Sequence, residues 1–179
     1  LNDITVMSNG DVYCTESVHN AIYKIDATTD TLIHFVTLEG FNFPNGITHC
    51  GESDEIFVAV DEGIIKLNLI TKEYILLETP EGVNASTIDG LECYKNSFIG
   101  HQSSKITRFY YNDNIESIVR AEEFDSGKEF DSSTTGAIGN GVYHYIVNSQ
   151  IRSGVDRENH RLKPLDSLES IIIRRKRLK

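Results

Sequence analysis

The amino-acid sequence predicts an all-β fold, a β-propeller, because a short motif recurs along the chain at a nearly fixed interval. The motif is a polar residue, then a small or polar residue, then an apolar residue. Its copies are Asn2-Asp3-Ile4, Asn45-Gly46-Ile47, Asp89-Gly90-Leu91 and Thr135-Gly136-Ala137. Their first residues lie 43, 44 and 46 positions apart. A period of about 40 to 50 residues is typical of propeller blades, each built from four short strands.

Strand-like segments follow the motifs in a constant order, which is the second observation behind this prediction. The second strands are predicted at 11–15, 55–59, 97–101 and 142–146, and the third strands at 21–25, 64–68 and 105–109. Apolar and polar residues alternate in the third strands, as expected for a half-buried pleated strand. The period of two throughout favours sheets over helices.

The repeat divides the chain into blades at about 1–42, 43–82, 83–133 and 134–179. In the third blade, residues 115–119 are predicted as the outer strand and residues 122–133 as a surface loop. The last blade has residues for three strands only. Because propellers often complete a blade with residues from the other chain end, we expect its closing strand to come from residues before Leu1. The incomplete blade and the abrupt start favour the last four blades of a larger ring over a small four-bladed ring.

Composition and charge narrow the class of protein. The content of 39% hydrophobic and 25% charged residues is typical of a globular domain. A net charge of −10 argues against nucleic acid as a partner, and no apolar run is long enough to span a membrane. The basic run 174–177 is interpreted as a solvated strand end. These features slightly favour the cytoplasm, with secretion or a periplasmic location as alternatives.

Three cysteines, Cys14, Cys50 and Cys93, form an odd set at wide spacing without a CxxC pair. This pattern predicts reduced, structural thiols and no zinc or redox site. Cys50 and Cys93 end inner strands at equivalent repeat positions, so a disulfide between them is the alternative.

The first residue of each motif is a candidate metal ligand, because the inner strands of a propeller surround one axis. Asn2, Asn45 and Asp89 would bring two amides and one carboxylate together. Oxygen donors of this kind suit a hard cation such as Ca²⁺, and zinc is less favoured without His or Cys. The alternative is that Asn-Gly and Asp-Gly are ordinary turn residues that bond their own backbone.

These residues resemble the blade motifs of the senescence marker protein/gluconolactonase family and of the related paraoxonase-type arylesterases and strictosidine synthase-like proteins. The resemblance covers residues 1–108 and rests on Asn2-Asp3-Ile4, Gly10-Asp11-Val12-Tyr13, Pro44-Asn45-Gly46-Ile47 and Ile88-Asp89-Gly90-Leu91. It implies a six-bladed propeller with an axial divalent cation, usually Ca²⁺, with Zn²⁺, Mg²⁺ and Mn²⁺ as alternatives. It also implies hydrolysis of a small lactone or ester.

Site residues carried over by this resemblance are Asn45 and Asp89 as metal ligands and Asn2 as a ligand or substrate contact. Asp3 resembles the position of a second, structural calcium, with a simple turn cap as the alternative. The family also takes a glutamate ligand from its first blade, and no residue here matches it. The chain alone would therefore lack one ligand that missing N-terminal blades supply.

The implied mechanism is Lewis-acid hydrolysis, in which the cation polarises the ester carbonyl and a carboxylate or imidazole deprotonates the attacking water. Asp89 would act as both ligand and base. His101 ends the second strand of the same blade and is predicted at the pocket mouth as a catalytic and substrate-binding residue. A buried, backbone-bonded histidine is the competing interpretation. The alternative functions are a non-catalytic binding propeller and a strictosidine synthase-like condensing enzyme.

Overall fold

A computed structural model describes all residues, 1–179, and contains three complete four-stranded antiparallel sheets. Each sheet follows the chain order from its innermost to its outermost strand. The first has β1 (Ile4–Val6), β2 (Val12–Glu16), β3 (Ala21–Asp26) and β4 (Thr31–Thr37). The second has β5 (Ile47–His49), β6 (Glu55–Val60), β7 (Gly63–Asn68) and β8 (Tyr74–Leu76). The third has β9 (Leu91–Tyr94), β10 (Ser97–Gln102), β11 (Lys105–Tyr111) and β12 (Ile118–Ser126).

The rest of the chain forms an incomplete fourth sheet and a small hairpin. The sheet has three strands, β13 (Gly136–Gly139), β14 (Val142–Ile146) and β17 (Ile173–Arg177). Between the last two lie the hairpin strands β15 (Val155–Asp156) and β16 (Arg161–Leu162) and a 3₁₀ turn at Leu165–Ser167. No helix here has the length and apolar character that crossing a bilayer requires.

The four sheets are arranged as propeller blades, which confirms the predicted fold class. The innermost strands contact one another in sequence, β1 with β5, β5 with β9 and β9 with β13. Each sheet therefore radiates outwards from a shared axis. The last sheet has three strands, as the length of the final repeat predicts.

Three hydrophobic clusters lie between successive blades and hold them together. The cluster between the second and third blades is the largest and contains Phe57, Phe98 and Phe109, all fully buried. A second cluster joins the first two blades around Ile22 and Ile56. The third joins the last two blades. The two middle blades thus bury both faces, the first and last blades bury one face each, and the stability of a blade depends on its neighbours.

The strand β6 shows how the sequence produces this packing. Its residues Phe57 and Ala59 belong to the cluster on the third-blade side, whereas Ile56, Val58 and Val60 belong to the cluster on the first-blade side. Side chains of a strand alternate between the two faces of a sheet, so a strand buried on both faces needs a continuous apolar run.

Glycine at the second position of the motif permits the close approach of neighbouring inner strands. A Cβ atom on Gly46 would lie 2.6 Å from the backbone nitrogen of Leu91 in the next blade. A Cβ on Gly90 would collide with the carbonyl oxygen of Thr134 in the blade after that. The repeating small residue that marks the blades in the sequence is therefore a packing requirement around the axis.

Two local predictions are wrong. The outer strand of the third blade is β12, which begins at Ile118 and continues to Ser126, whereas residues 115–117 precede it in a turn. The first part of the segment predicted as a loop at 122–133, residues 122–126, is therefore strand. Its exposed outer face explains the error, because an edge strand facing water carries polar residues and lacks an apolar pattern. The hairpin β15–β16 was not predicted.

Candidate functional site

The first three motifs meet at one cavity of about 420 Å³ at the end of the propeller axis. Asn2, Asn45 and Asp89 all line this cavity, so residues from three blades converge as the repeat predicts. The remaining lining residues are Phe43, Val60, Asp61, Thr87, Ile88, Ser103, Ser132, Ile151 and Arg152. We call this cavity the axial pocket. Its volume suits a small organic ligand.

Asn45 carries the most informative atom of the axial pocket. Its side-chain oxygen Oδ1 is buried and has no hydrogen-bond partner, the one such buried side-chain atom in the chain. A buried polar atom without a partner costs about 1 to 3 kcal/mol. Because folded proteins rarely leave such atoms unpaired, the oxygen can accept a hydrogen bond from a water or ligand, or coordinate a cation.

The carboxylate of Asp89 faces the same space. Burial raises its pKa above the ordinary value of 3.8, and the side-chain amide of Asn45 and the charge of Arg152 act in the opposite direction. A carboxylate with a raised pKa is a better proton acceptor than one with the ordinary pKa. Asp89 can therefore act as a ligand or as a base.

Asn2 and Asp3 have different surroundings, although they are adjacent in the chain. The side-chain nitrogen of Asn2 donates to the hydroxyl of Ser17 at 3.0 Å, and the side-chain oxygen of Asn2 makes no hydrogen bond. The two carboxylate oxygens of Asp3 accept backbone N–H groups of Ile4 (2.9 Å) and Ile47 (3.1 Å). Asp3 does not line the axial pocket, and it connects the first blade to the second.

His101 is fully buried between the third and fourth blades, so the prediction that it reaches the pocket mouth is wrong. The Ser133 hydroxyl donates to the carbonyl of Ile146 (2.8 Å) and accepts from Nδ1 of His101 (2.7 Å). Nε2 then accepts from the hydroxyl of Tyr143 (2.5 Å). Burial lowers the pKa of His101 to about 3. This neutral side chain is sealed from solvent and does not line the axial pocket, so it is not placed to take a proton from a water there.

Polar residues that the sequence analysis missed also line the axial pocket. Asp61 and Ser103 follow the second strands of their blades, and Ser17 holds the same position in the first blade. These three residues lie 44 and 42 positions apart, so the repeat phase contains a signal for them. Arg152 lies in an irregular segment after β14, and no repeat predicts it.

The donor set of the axial pocket fits a hard divalent cation. Two amides, Asn2 and Asn45, and two carboxylates, Asp61 and Asp89, offer oxygen only. Calcium takes six to eight oxygen ligands and accepts amides, carboxylates and water together. No group of three or more His, Cys, Asp or Glu side chains is close enough together to hold a metal ion.

Glu92 is a further ionisable residue of the inner strands. Burial, together with the negative charge of Asp3, raises its pKa from the ordinary value of 4.5 to about 7. The native state therefore holds a proton that the unfolded chain releases at lower pH. The free energy of unfolding is unaffected by Glu92 below pH 4.5, decreases as the pH rises to about 7, and stays lowered above that value.

Replacing Glu92 with Gln removes this penalty, because glutamine is neutral at every pH. The variant is expected to exceed the wild type in unfolding free energy by about 3 kcal/mol at about pH 8 and to match it at about pH 4. Urea unfolding with a chelator present measures both values. Glu52→Gln, at an exposed position, is the matched control and is expected to show no such difference. A pH-independent effect of Glu92→Gln would contradict this assignment.

No protein-family model matches the chain, and no curated protein matches it. Solved structures do match. A chain of the nidogen/laminin complex aligns with a TM-score of 0.66 at 10% identity, covering 82% of this chain and 56% of that one. Virginiamycin B lyase from Staphylococcus aureus aligns with a TM-score of 0.58 at 16% identity, over 80% of this chain and 47% of the lyase. Glutaminyl cyclase from Myxococcus xanthus aligns with a TM-score of 0.55 at 9% identity, over 80% and 60%.

These similarities establish the β-propeller fold and nothing finer, because all identities are low. The chain spans about half the length of the solved structures it matches. Enzymes and a protein–protein complex occur among them, so the fold leaves the function open. The resemblance to the gluconolactonase family stays a prediction from the sequence.

Proposed function

We propose that the axial pocket binds a divalent cation, foremost Ca²⁺, and that the protein hydrolyses a small lactone or ester there. The buried and unpartnered oxygen of Asn45, beside the carboxylate of Asp89, is the observation that carries this proposal. A cation at this point would give that oxygen a partner. Mg²⁺ and Mn²⁺ also prefer oxygen ligands, whereas the lack of His and Cys disfavours Zn²⁺.

The bound cation would polarise the substrate carbonyl and stabilise the negative charge that develops on its oxygen. Asn2 and Asn45 would supply neutral oxygen ligands, and Asp89 would supply charge. Burial raises the pKa of Asp89, which suits this carboxylate to accept a proton from the attacking water. Asp3 is not part of this proposal, because backbone N–H groups already engage both its oxygens.

The second candidate is a non-catalytic binding propeller that keeps the cation without turnover. The match to a chain of the nidogen/laminin complex favours it, because a propeller of this shape occurs in an assembly between proteins. Cation binding without hydrolysis would distinguish this candidate from the first.

Replacing Asp89 with Asn tests the proposed function, since it removes the charge and keeps the shape. The full-length chain is expected to bind Ca²⁺ in calorimetry and to hydrolyse members of a lactone panel, with loss of both in chelator. Asp89→Asn is expected to weaken Ca²⁺ binding and to lower hydrolysis by at least about 100-fold. Asp113→Asn, an exposed residue outside the axial pocket, is the control.

The outcomes separate the candidates. Ca²⁺ binding that depends on Asp89, with no turnover of any lactone or ester, would support the binding propeller. Unchanged binding and turnover in Asp89→Asn would remove Asp89 from the site and overturn the proposal.

A further inference from the structure

Arg152 lies at the axial pocket without a partner of its own. Its side chain is exposed and makes no hydrogen bond or ion pair with the protein. Some arginines of the chain are engaged, for example Arg174 with Asp125 at 2.9 Å and Arg120 with Glu122 at 2.9 Å. Among the arginines without such a partner, Arg152 is the one that lines the axial pocket. Arg152 is close enough to Asp89 for its charge to act on that carboxylate. Five N–H donors are therefore available at the pocket wall.

The surroundings of Arg152 complete a small polar recess. The hydroxyls of Ser103 and Ser132 line the same cavity, and the Ser132 hydroxyl donates to Asp131 at 3.1 Å. Phe43 and Ile151, half-exposed or more, form apolar walls. A ligand in this cavity would meet the guanidinium of Arg152, the apolar surface of Phe43 and Ile151, and the oxygens of Asn45 and Asp89.

Charge balance indicates which ligand this arrangement favours. The axial pocket has two carboxylates, Asp61 and Asp89, and one guanidinium, Arg152. A bound divalent cation would neutralise the carboxylates and leave the single positive charge of Arg152. A neutral substrate would leave that charge without a counterion, whereas an anionic substrate would pair with it. Guanidinium and carboxylate match in geometry and form two parallel hydrogen bonds.

We propose that Arg152 binds a carboxylate of the substrate, so that the preferred substrate class is a lactone or ester bearing a second, anionic group. This inference rests on the proposed function. The anionic group lies on the Arg152 side of the pocket and orients the reacting carbonyl towards Asp89. Arg152 is thus a substrate-binding residue that determines specificity.

The test compares a neutral and an anionic lactone of similar size, gluconolactone and glucarolactone. The wild type is expected to favour glucarolactone in kcat/KM. In Arg152→Gln this preference is expected to fall by about 10- to 100-fold, chiefly through KM, because a charge-assisted hydrogen-bonded pair is lost. Arg157→Gln, the same change at an exposed arginine of the same segment outside the pocket, is expected to keep the wild-type preference. Arg152→Lys keeps the charge but lacks the planar guanidinium, so its preference for glucarolactone is expected to lie between that of the wild type and that of Arg152→Gln.

A binding measurement keeps this inference distinguishable from the proposed function. Glucarate and the uncharged polyol sorbitol are titrated into the Ca²⁺-loaded protein by calorimetry, which requires no turnover. Binding of glucarate, weakened in Arg152→Gln and unchanged in Arg157→Gln, supports the role of Arg152 even if no lactone is hydrolysed. An inorganic phosphate titration shows whether the fork is specific for carboxylate. If Arg152→Gln weakens the binding of glucarate and of sorbitol equally, or weakens neither, the inference is overturned.

Discussion

Removing the disulfide between Cys50 and Cys93 is expected to lower the free energy of unfolding by about 4 kcal/mol. The two cysteines are bonded and join the inner strands of the second and third blades. Their separation of 43 residues defines the loop that the bond closes in the unfolded chain. The loss follows from the greater conformational entropy of an unfolded chain without this cross-link. The variant Cys50→Ala with Cys93→Ala, unfolded in urea, measures it.

The control for this experiment is the reductant itself. Adding reductant is expected to bring the wild type to the stability of the double variant and to leave the double variant unchanged. Titration of the unreduced, denatured wild type is expected to find one free thiol, from Cys14, which is buried and unpaired in the native state. Three free thiols, with no effect of the reductant on stability, would contradict the pairing.

This bond corrects the sequence-based prediction that all three cysteines are reduced. The prediction relied on their odd number and wide spacing, which give no direct information about distance in space. The equivalent repeat positions of Cys50 and Cys93 were the correct signal, because equivalent positions of neighbouring blades lie side by side. Structural disulfides are typical of oxidising compartments.

The repeat phase explains why much of the architecture could be predicted. Gly46 and Gly90 recur because the inner strands approach too closely for a side chain, and the motif thereby records the geometry of the axis. Asn45 and Asp89 precede them and converge on the axial pocket for the same reason. Residue types that are required by the position of a blade around the axis therefore recur with the period of the repeat.

Residues whose role depends on individual contacts do not recur with the repeat, so the sequence pattern does not predict them. His101 sits at a strand end that the repeat places near the axial pocket, yet its ring packs between blades with Tyr143 and Ser133. Which side of the strand it faces is decided by that local network. Arg152 reaches the pocket from an irregular segment, and its position follows from the path of the chain after β14.

Replacing Phe57 with Ala is expected to lower the free energy of unfolding by about 3 to 5 kcal/mol. The ring is fully buried in the cluster between the second and third blades and lies 4.9 Å from the ring of Phe98, centroid to centroid. Phe98 in turn lies 4.7 Å from Tyr111. Truncation leaves a cavity that these rings cannot fill, because both are held by the inner face of the third blade. Urea unfolding measures the loss.

Phe43→Ala is the matched control, since the same atoms are removed from a side chain that is 50% exposed. The decrease in the free energy of unfolding is expected to stay below about 1 kcal/mol, because the native state buries little of this ring and its removal leaves no cavity. The difference between the two variants isolates the packing between blades from the change in residue type. Equal, small losses in both would mean that the second and third blades do not pack through Phe57, and the arrangement of blades around the axis would then have to be revised.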